Sequence, residues 1–303
     1  MRIECIYINT HRYDYQLTRT CIASVRYWYP DIEIFLIKDL SNGRFNTNLF
    51  EQKWGVKILP TGSSKFGWGY GKLEALFQPV KKSFLVLDAD TVLTGPVLLN
   101  VENMDADFLV DEEKQTEDKF CTLYYDIHNI GKVDAHFKYP GYSFNTGQWY
   151  GTAGILKRED FDHIIKWAEP PESKYPSIIF QGEQGHLNFI LHQMEQNGEI
   201  NIVRKKIMIW PADRNAEFIK LERIRRKDPI FPYIIHWAGM KFKRLSNYPR
   251  ADILEFYQSL FRSKLSFSEK IRDLIYLKLL PMEKRIKIKF IKIKRKDKDL
   301  AKI

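Results

Sequence analysis

Carboxylates spaced two residues apart are the first candidates for chemistry in this chain. On an extended backbone the two side chains project to one side, where hard oxygen ligands suit a divalent cation. The spacing occurs at Asp88/Asp90, Asp105/Asp107, Asp160/Asp162 and Asp297/Asp299. A pattern this short arises about once by chance in a chain so rich in aspartate, so context must separate the four. Phe84–Leu87 is an unbroken apolar run that ends directly at Asp88, as expected of a strand buried on both faces. Asp88 and Asp90 then stand at the carboxyl end of a central strand, where open α/β sheets bind ligands. Asp105 and Asp107 precede their apolar run and read as loop residues. Asp160 and Asp162 read as the first turn of a helix, where acids complement the dipole.

The elements that must position this pair follow from the pattern around it. Ile3–Ile8, Ile32–Ile37 and Val56–Leu59 read as strands, with a helix over Leu17–Trp28 between the first two. This order implies βαβ units and a mainly parallel sheet. A glycine-rich loop, KFGWGYG (Lys65–Gly71), leads into an expected helix KLEALFQPV and then the strand ending at Asp88. Strands are expected at Phe108–Val110, Ile155–Leu156, Ile200–Val203 and Ile207–Ile209, and a helix over Phe180–Leu191. Tyr233–His236 is a second apolar run ending in a residue of ligand type.

Composition narrows the class. The chain has 303 residues, 44% of them apolar, enough for a substantial core. Three cysteines without a CxxC pair argue against a disulfide framework or a cysteine zinc site. The amino-terminal stretch has no signal-peptide pattern and no run of 18 apolar residues occurs, so a cytoplasmic protein is expected. The net charge of +10 is concentrated at the end, since residues 264–303 hold 14 Lys/Arg against 5 Asp/Glu, or +9. A nearly neutral body argues against nucleic acid as partner, and a basic end points to an anionic membrane surface. Phe267–Leu280 reads as an amphipathic helix ended by Pro281, and Lys284–Lys296 alternates cationic and apolar residues as interfacial anchors do. The expected division is a catalytic domain over 1–250 and a helical, basic, membrane-associating tail over 251–303, holding the protein peripherally at the inner face of the membrane.

Several segments, in order, resemble the metal-dependent GT-A glycosyltransferases, in particular the retaining family that includes glycogenin and the bacterial lipopolysaccharide glycosyltransferases. These are INTHRYDY (Ile8–Tyr15), Lys72 sixteen residues before Asp88, LDADT around Asp88, FNTG (Phe144–Gly147), QGEQGHLNFIL (Gln181–Leu191) and IHWAG (Ile235–Gly239). Together they cover about Arg2 to Lys243. The resemblance implies a Rossmann-like GT-A fold with a mixed, mainly parallel sheet. It implies Mn²⁺ or Mg²⁺ held by Asp88, Asp90 and His236, and a nucleotide sugar, with UDP-sugar favoured, as donor. It places Ile8, Asn9, Thr10 and Tyr13 or Tyr15 near the base, and Ala89 and Gly239 beside the nucleotide. Lys72 and either Lys241 or Lys243 fall on the diphosphate, while Asn145, Glu183 and Gln184 fall near the donor sugar. The acceptor would be a glycan or glycolipid, with the donor's anomeric configuration retained. Glu183 departs from the family's Asp, and MKFKR after Gly239 stands in place of its lysine, proline and tryptophan.

The physical scheme stands beside the resemblance. A sugar nucleotide leaves as a diphosphate, so a cation and a lysine already in place lower the barrier by meeting its developing charge. Rival classes remain. DADTV also fits the Asp-x-Asp-x-Val motif of haloacid-dehalogenase-type phosphatases, but that motif normally ends the first core strand, whereas here three strands precede it. An inverting GT-A enzyme and a catalytically decayed carbohydrate-binding protein are also compatible with these residues.

Overall fold

The computed structural model describes residues 1–67, 69–113, 116–180, 182–240 and 244–280. Lys241, Lys243 and the alternating segment Lys284–Lys296 lie outside these. The strands are β1 (Cys5–His11), β2 (Glu33–Asp39), β3 (Val56–Ile58), β4 (Ser83–Asp88), β5 (Thr91–Leu93) and β6 (Phe108–Asp111), followed by β7 (Gln148–Thr152), β8 (Ile165–Lys166), β9 (Glu172–Ser173), β10 (Ile202–Lys205), β11 (Met208–Ile209) and β12 (Ile234–His236). The helices are α1 (Tyr15–Trp28), α2 (Asn48–Trp54), α3 (Glu117–Leu123), α4 (Glu183–Gln196), α5 (Leu221–Arg225) and α6 (Ala251–Ser263), with a further helix over residues 267–280.

Seven strands form the central sheet in the order β10-β6-β7-β4-β1-β2-β3, and β11-β12-β5 form a smaller one. In the central sheet β7 runs antiparallel to β4 and β6, and the other pairings are parallel. Period-2 alternation divides the core. Leu85 and Leu87 of β4 enter the apolar layer under α1 and α6, while Phe84 and Val86 enter the layer that holds α4 residues such as Leu187 and Leu191. All four are fully buried, as an apolar run in a central strand covered on both faces requires.

The structure corrects three local expectations. KLEALFQPV forms a short 3-10 helix at Tyr70–Ala75, not an α-helix. It begins directly after Gly69, whose φ is +81°, and Pro79 follows closely, leaving little chain for a longer helix. The strand expected at Ile155–Leu156 lies upstream, at β7, because Trp149 and Tyr150 supply the large side chains that pack on opposite faces of the sheet. Residues from Ala251, expected to open a helical tail, do form a helix, α6, but its Ile253, Leu254, Tyr257 and Phe261 are buried in the core against α1.

Two buried histidines of α4 give a pH prediction. Burial pushes His186 down to about 4, against a hydrogen bond to the Gly182 carbonyl that favours its charged form. Burial, with Arg204 nearby, pushes His192 down to about 3. The unfolded chain, with both near 6.5, binds more protons below that pH than the folded one does. Stability is therefore whole above about pH 6.5 and is expected to fall by on the order of 3 kcal/mol per histidine by pH 4. Urea denaturation across this range checks it: His192→Leu should flatten the slope, and a pH-independent midpoint in the unsubstituted protein would refute the account.

Candidate active site

The strand register builds the site. Asn9 of β1 pairs with Asp88 of β4, and Ala89 N–H donates to the Asn9 carbonyl at 3.1 Å. On the other side Asp88 N–H donates to the Gly147 carbonyl at 2.7 Å. The acids are thus fixed at the carboxyl end of β4 between two neighbouring strands. β12 brings His236 alongside through its antiparallel pairing with β5, which places His236 opposite Thr91. Trp210 stacks on the imidazole, centroids 5.5 Å apart, and sets its plane.

One potential ligand atom from each of Asp88, Asp90 and His236 lies within 4.8 Å of the others. His236 Nε2 is 3.2 Å from Asp90 Oδ1 and 3.8 Å from Asp88 Oδ2. His236 is buried, yet neither ring nitrogen makes a hydrogen bond among the described residues. A buried imidazole facing two carboxylates without a hydrogen-bond partner is a donor set that fits a divalent cation. Gly147 is required beside it, because a Cβ at that position would overlap the imidazole ring. Burial, with Asp90 and Glu183 adding to it, pushes the Asp88 carboxyl above the ordinary range, against the pull of Lys72 and His236.

Lys72 reaches this cluster from the short 3-10 helix. Its Nζ donates to the Thr146 carbonyl at 3.0 Å and to Asp88 at 3.2 Å, and pairs with Glu183. Burial alone would depress the ammonium, but Asp88 and Glu183 outweigh it and hold Lys72 above the usual lysine range. These groups line one end of a cavity of about 680 Å³.

The structure sorts the residues expected around it. Asn9, Lys72, Asp88, Ala89, Asp90, Asn145, Glu183, Gln184 and His236 line the cavity. Among the described residues Asn9 Oδ1 is buried without a hydrogen-bond partner. Ile8 instead lies in the apolar core, and Thr10 bonds Thr18 at 2.6 Å inside the fold. Tyr13 lies edge-on to His11 and outside the cavity lining, and Tyr15 packs in the core against Phe50. Gly239 is at a turn with φ +72° and is not among the lining residues, although Ala238 is. Asn188 holds the FNTG segment by bonds to the Phe144 N–H (3.1 Å) and carbonyl (3.0 Å), a structural role. Trp149, Tyr150 and Trp237 are fully buried, so none is a sugar-stacking platform. Asp107 accepts from the Asn201 N–H at 2.9 Å in a loop and does not line the cavity.

Sequence reading missed a second group on the cavity, His11, Asp14, Asp39, Ser41 and Asn42. His11 Nε2 lies 2.9 Å from Asp14 Oδ2. Asp39 accepts from the N–H groups of Ser41 (2.8 Å), Phe66 (3.1 Å) and Gly67 (3.0 Å), tying the glycine-rich loop to the end of β2. The available signal was position: His11 ends β1 and Asp39 ends β2, as Asp88 ends β4.

No protein-family model matches the chain, and no curated protein sequence matches it significantly. Solved structures do. The galactosyltransferase LgtC, solved with donor and acceptor sugar analogues, superposes with a TM-score of 0.55 at 16% identity, covering 88% of this chain and 99% of LgtC. The fold is that of the GT-A glycosyltransferases. The GT-A likeness extends to the bifunctional glycosyltransferase WbbM (TM-score 0.52, 12% identity, 85% of this chain) and to the glycosyltransferase GlyE of Streptococcus pneumoniae TIGR4 (TM-score 0.50, 14% identity, 87% of this chain). The chain spans 50% of WbbM and 63% of GlyE. In GT-A terms, the acids of the Asp-x-Asp motif and His236 stand together at the carboxyl ends of the strands, where this fold class binds ligands.

Proposed function

We propose that this chain is a metal-dependent glycosyltransferase that moves a sugar from a nucleotide diphosphate sugar, with a UDP-sugar favoured, to a glycan or glycolipid acceptor with retention of configuration. The observation that carries this reading is the convergence of Asp88, Asp90, His236 and Lys72 at one end of a large cavity at the carboxyl ends of the strands. Asp88, Asp90 and His236 would hold Mn²⁺ or Mg²⁺, which when bound neutralises a diphosphate. Lys72 supplies a second positive charge already in place for the departing phosphates, so little reorganisation is needed during reaction. Asn145 and Gln184, whose amides lie 3.4 Å apart on the cavity wall, would orient the sugar hydroxyls. Leu123 is 45% exposed and also lines the cavity, an apolar contact suited to an acceptor rather than to a phosphate. The test is nucleotide release from a panel of UDP- and GDP-sugars with Mn²⁺. Release from one donor, abolished by EDTA, is the expected result. Tight donor binding without turnover, even with glycan acceptors added, would favour the decayed carbohydrate-binding reading.

The proposed setting is the cytoplasmic face of a membrane, with anionic lipid as partner of residues 264–303 and no role for nucleic acid. Among the described residues no helix is long and apolar enough to cross a membrane. Helix 267–280, however, exposes Phe267 (80%), Ile271 (45%), Leu274 (45%), Ile275 (52%) and Leu279 (54%). That apolar stripe, flanked by Lys270, Arg272 and Lys278, is the composition of a surface-lying interfacial helix. Ile271→Asp with Leu274→Asp is expected to weaken sedimentation with phosphatidylglycerol vesicles at least about tenfold, since each loses the burial of a large aliphatic side chain. Donor hydrolysis should not change. Undiminished sedimentation of the double variant would refute this attachment.

A further inference from the structure

We infer that Glu183 is a positioning residue for Lys72, acting on the donor's diphosphate through that lysine, and is not a reader of the donor sugar. The inference rests on the nucleotide-sugar reading above and reassigns one of its residues. Glu183 opens α4 and is 5% exposed. Its Oε1 accepts from the Thr146 hydroxyl at 2.6 Å and pairs with Lys72 Nζ. Its Oε2 lies beneath the glycine-rich loop, where a Cβ on Gly69 would overlap it. The carboxylate is thus committed within the protein, on the side of the lysine and the loop. Gln184, the next residue, turns its amide to Asn145 and Thr146.

The donor count on Lys72 explains what the extra anion does. An ammonium has three N–H donors. Lys72 directs its donors at the Asp88 carboxylate, the Thr146 carbonyl and Glu183. Asp88 is also one of the residues placed to hold the metal, so its oxygens are shared between two duties. Glu183 and the Thr146 carbonyl have no such second duty. They keep the ammonium at the cavity wall whichever way Asp88 is engaged, and the donor shared with Asp88 is the one available to a phosphate. Glutamate suits this task because it carries one more methylene than the aspartate expected at this position, which lengthens its reach from the start of α4.

The two roles give different binding signatures. A sugar reader contributes to the affinity for UDP-sugar and nothing to that for UDP. A residue that acts through Lys72 contributes equally to both, because both carry the diphosphate. Titration calorimetry with Mn²⁺ present, using UDP and the UDP-sugar that the release panel selects, separates them. Glu183→Gln is expected to weaken both ligands by the same factor, roughly tenfold or more, the loss expected for a charge-assisted hydrogen bond. Gln184→Ala should weaken the UDP-sugar alone. On a Lys72→Met background, Glu183→Gln should have no further effect on UDP, since a residue acting through another loses its influence when that other is gone. Thr146→Val, which removes the hydroxyl that fixes Oε1, should shift both ligands in the same direction by a smaller factor, and it tests the proposal even if Glu183→Gln folds poorly. If Glu183→Gln leaves UDP unchanged and weakens only the UDP-sugar, Glu183 reads the sugar and the proposal falls. Multiplicative losses in the double variant would also overturn it. An unsubstituted protein that binds neither ligand with Mn²⁺ would overturn the nucleotide-sugar reading itself.

Discussion

Asp90→Ala is expected to lower metal-dependent nucleotide release from the donor by about 10²–10³-fold, the scale seen when a preorganised electrostatic contact to developing charge is removed. Asp90 pairs with His236, 3.2 Å away, and its substitution leaves the two other proposed metal-holding residues in place. Asp88 also holds Lys72, and His236 belongs to β12. The backbone carbonyl of Asp90, which accepts from Trp237 N–H at 2.9 Å, survives the substitution. The variant should therefore keep its fold. Asp90 also crowds Asp88 with like charge and, after burial itself, helps push that carboxyl above its ordinary range, which offsets part of the loss of its pairing with His236. Added Mn²⁺ should raise the thermal midpoint of the unsubstituted protein and leave that of the variant nearly unmoved, since only a state that binds the ion is stabilised by it. Unimpaired release by a folded Asp90→Ala protein would remove the metal from the proposed mechanism.

Breaking one ion pair far from the cavity is expected to have the largest effect on stability. Arg19 of α1 is fully buried and pairs with Asp273 of helix 267–280, whose side chain is 2% exposed. Arg19 also donates to Gln258 Oε1 at 2.9 Å and lies 5.5 Å from the Phe261 ring centroid. Burial lowers its pKa and Asp273 opposes that, so the carboxylate supplies the counter-charge for a guanidinium held in the interior. Asp273→Ala would leave a buried cation without its counter-charge, a defect that typically costs about 3–5 kcal/mol. Arg19→Met combined with Asp273→Leu should recover most of the loss, because an apolar pair of similar volume needs no compensation. Urea denaturation of the full chain measures both. A loss under about 1 kcal/mol in the single variant would show that the pair is not what docks helix 267–280. If the helix leaves while the sheet stays folded, the loss will appear instead as selective tryptic cleavage at Lys270 or Arg272.

This ion pair also shows where local sequence ceases to inform. Helix 267–280 is legible from its spacing of apolar residues. Nothing local says that the one acid in the middle of it, Asp273, faces inward to an arginine 254 residues away. The apolar stripe of this helix was legible too, but not that five of its residues stay exposed, since periodicity defines faces without saying which one is covered.

The candidate site divides in the same way. Strand β4 and its terminal acids could be read directly, because a short continuous apolar run ending in a carboxylate is the pattern of a strand buried on both faces. The ordered segments from Ile8 to Gly239 allowed the GT-A fold to be anticipated, and the superpositions bear that fold out. Backbone-local properties, such as the alternation of faces and the strand-end position of Asp88, were thus determined by the residues themselves. Tertiary structure alone decided that Tyr13 stays off the cavity while His11, Asp14 and Asp39 line it, because that depends on how two neighbouring strands end relative to each other. It alone decided that Glu183 turns to Lys72, a residue distant in sequence, since a long side chain goes to the nearest buried opposite charge, and which charge is nearest is settled only when α4 packs against the glycine-rich loop.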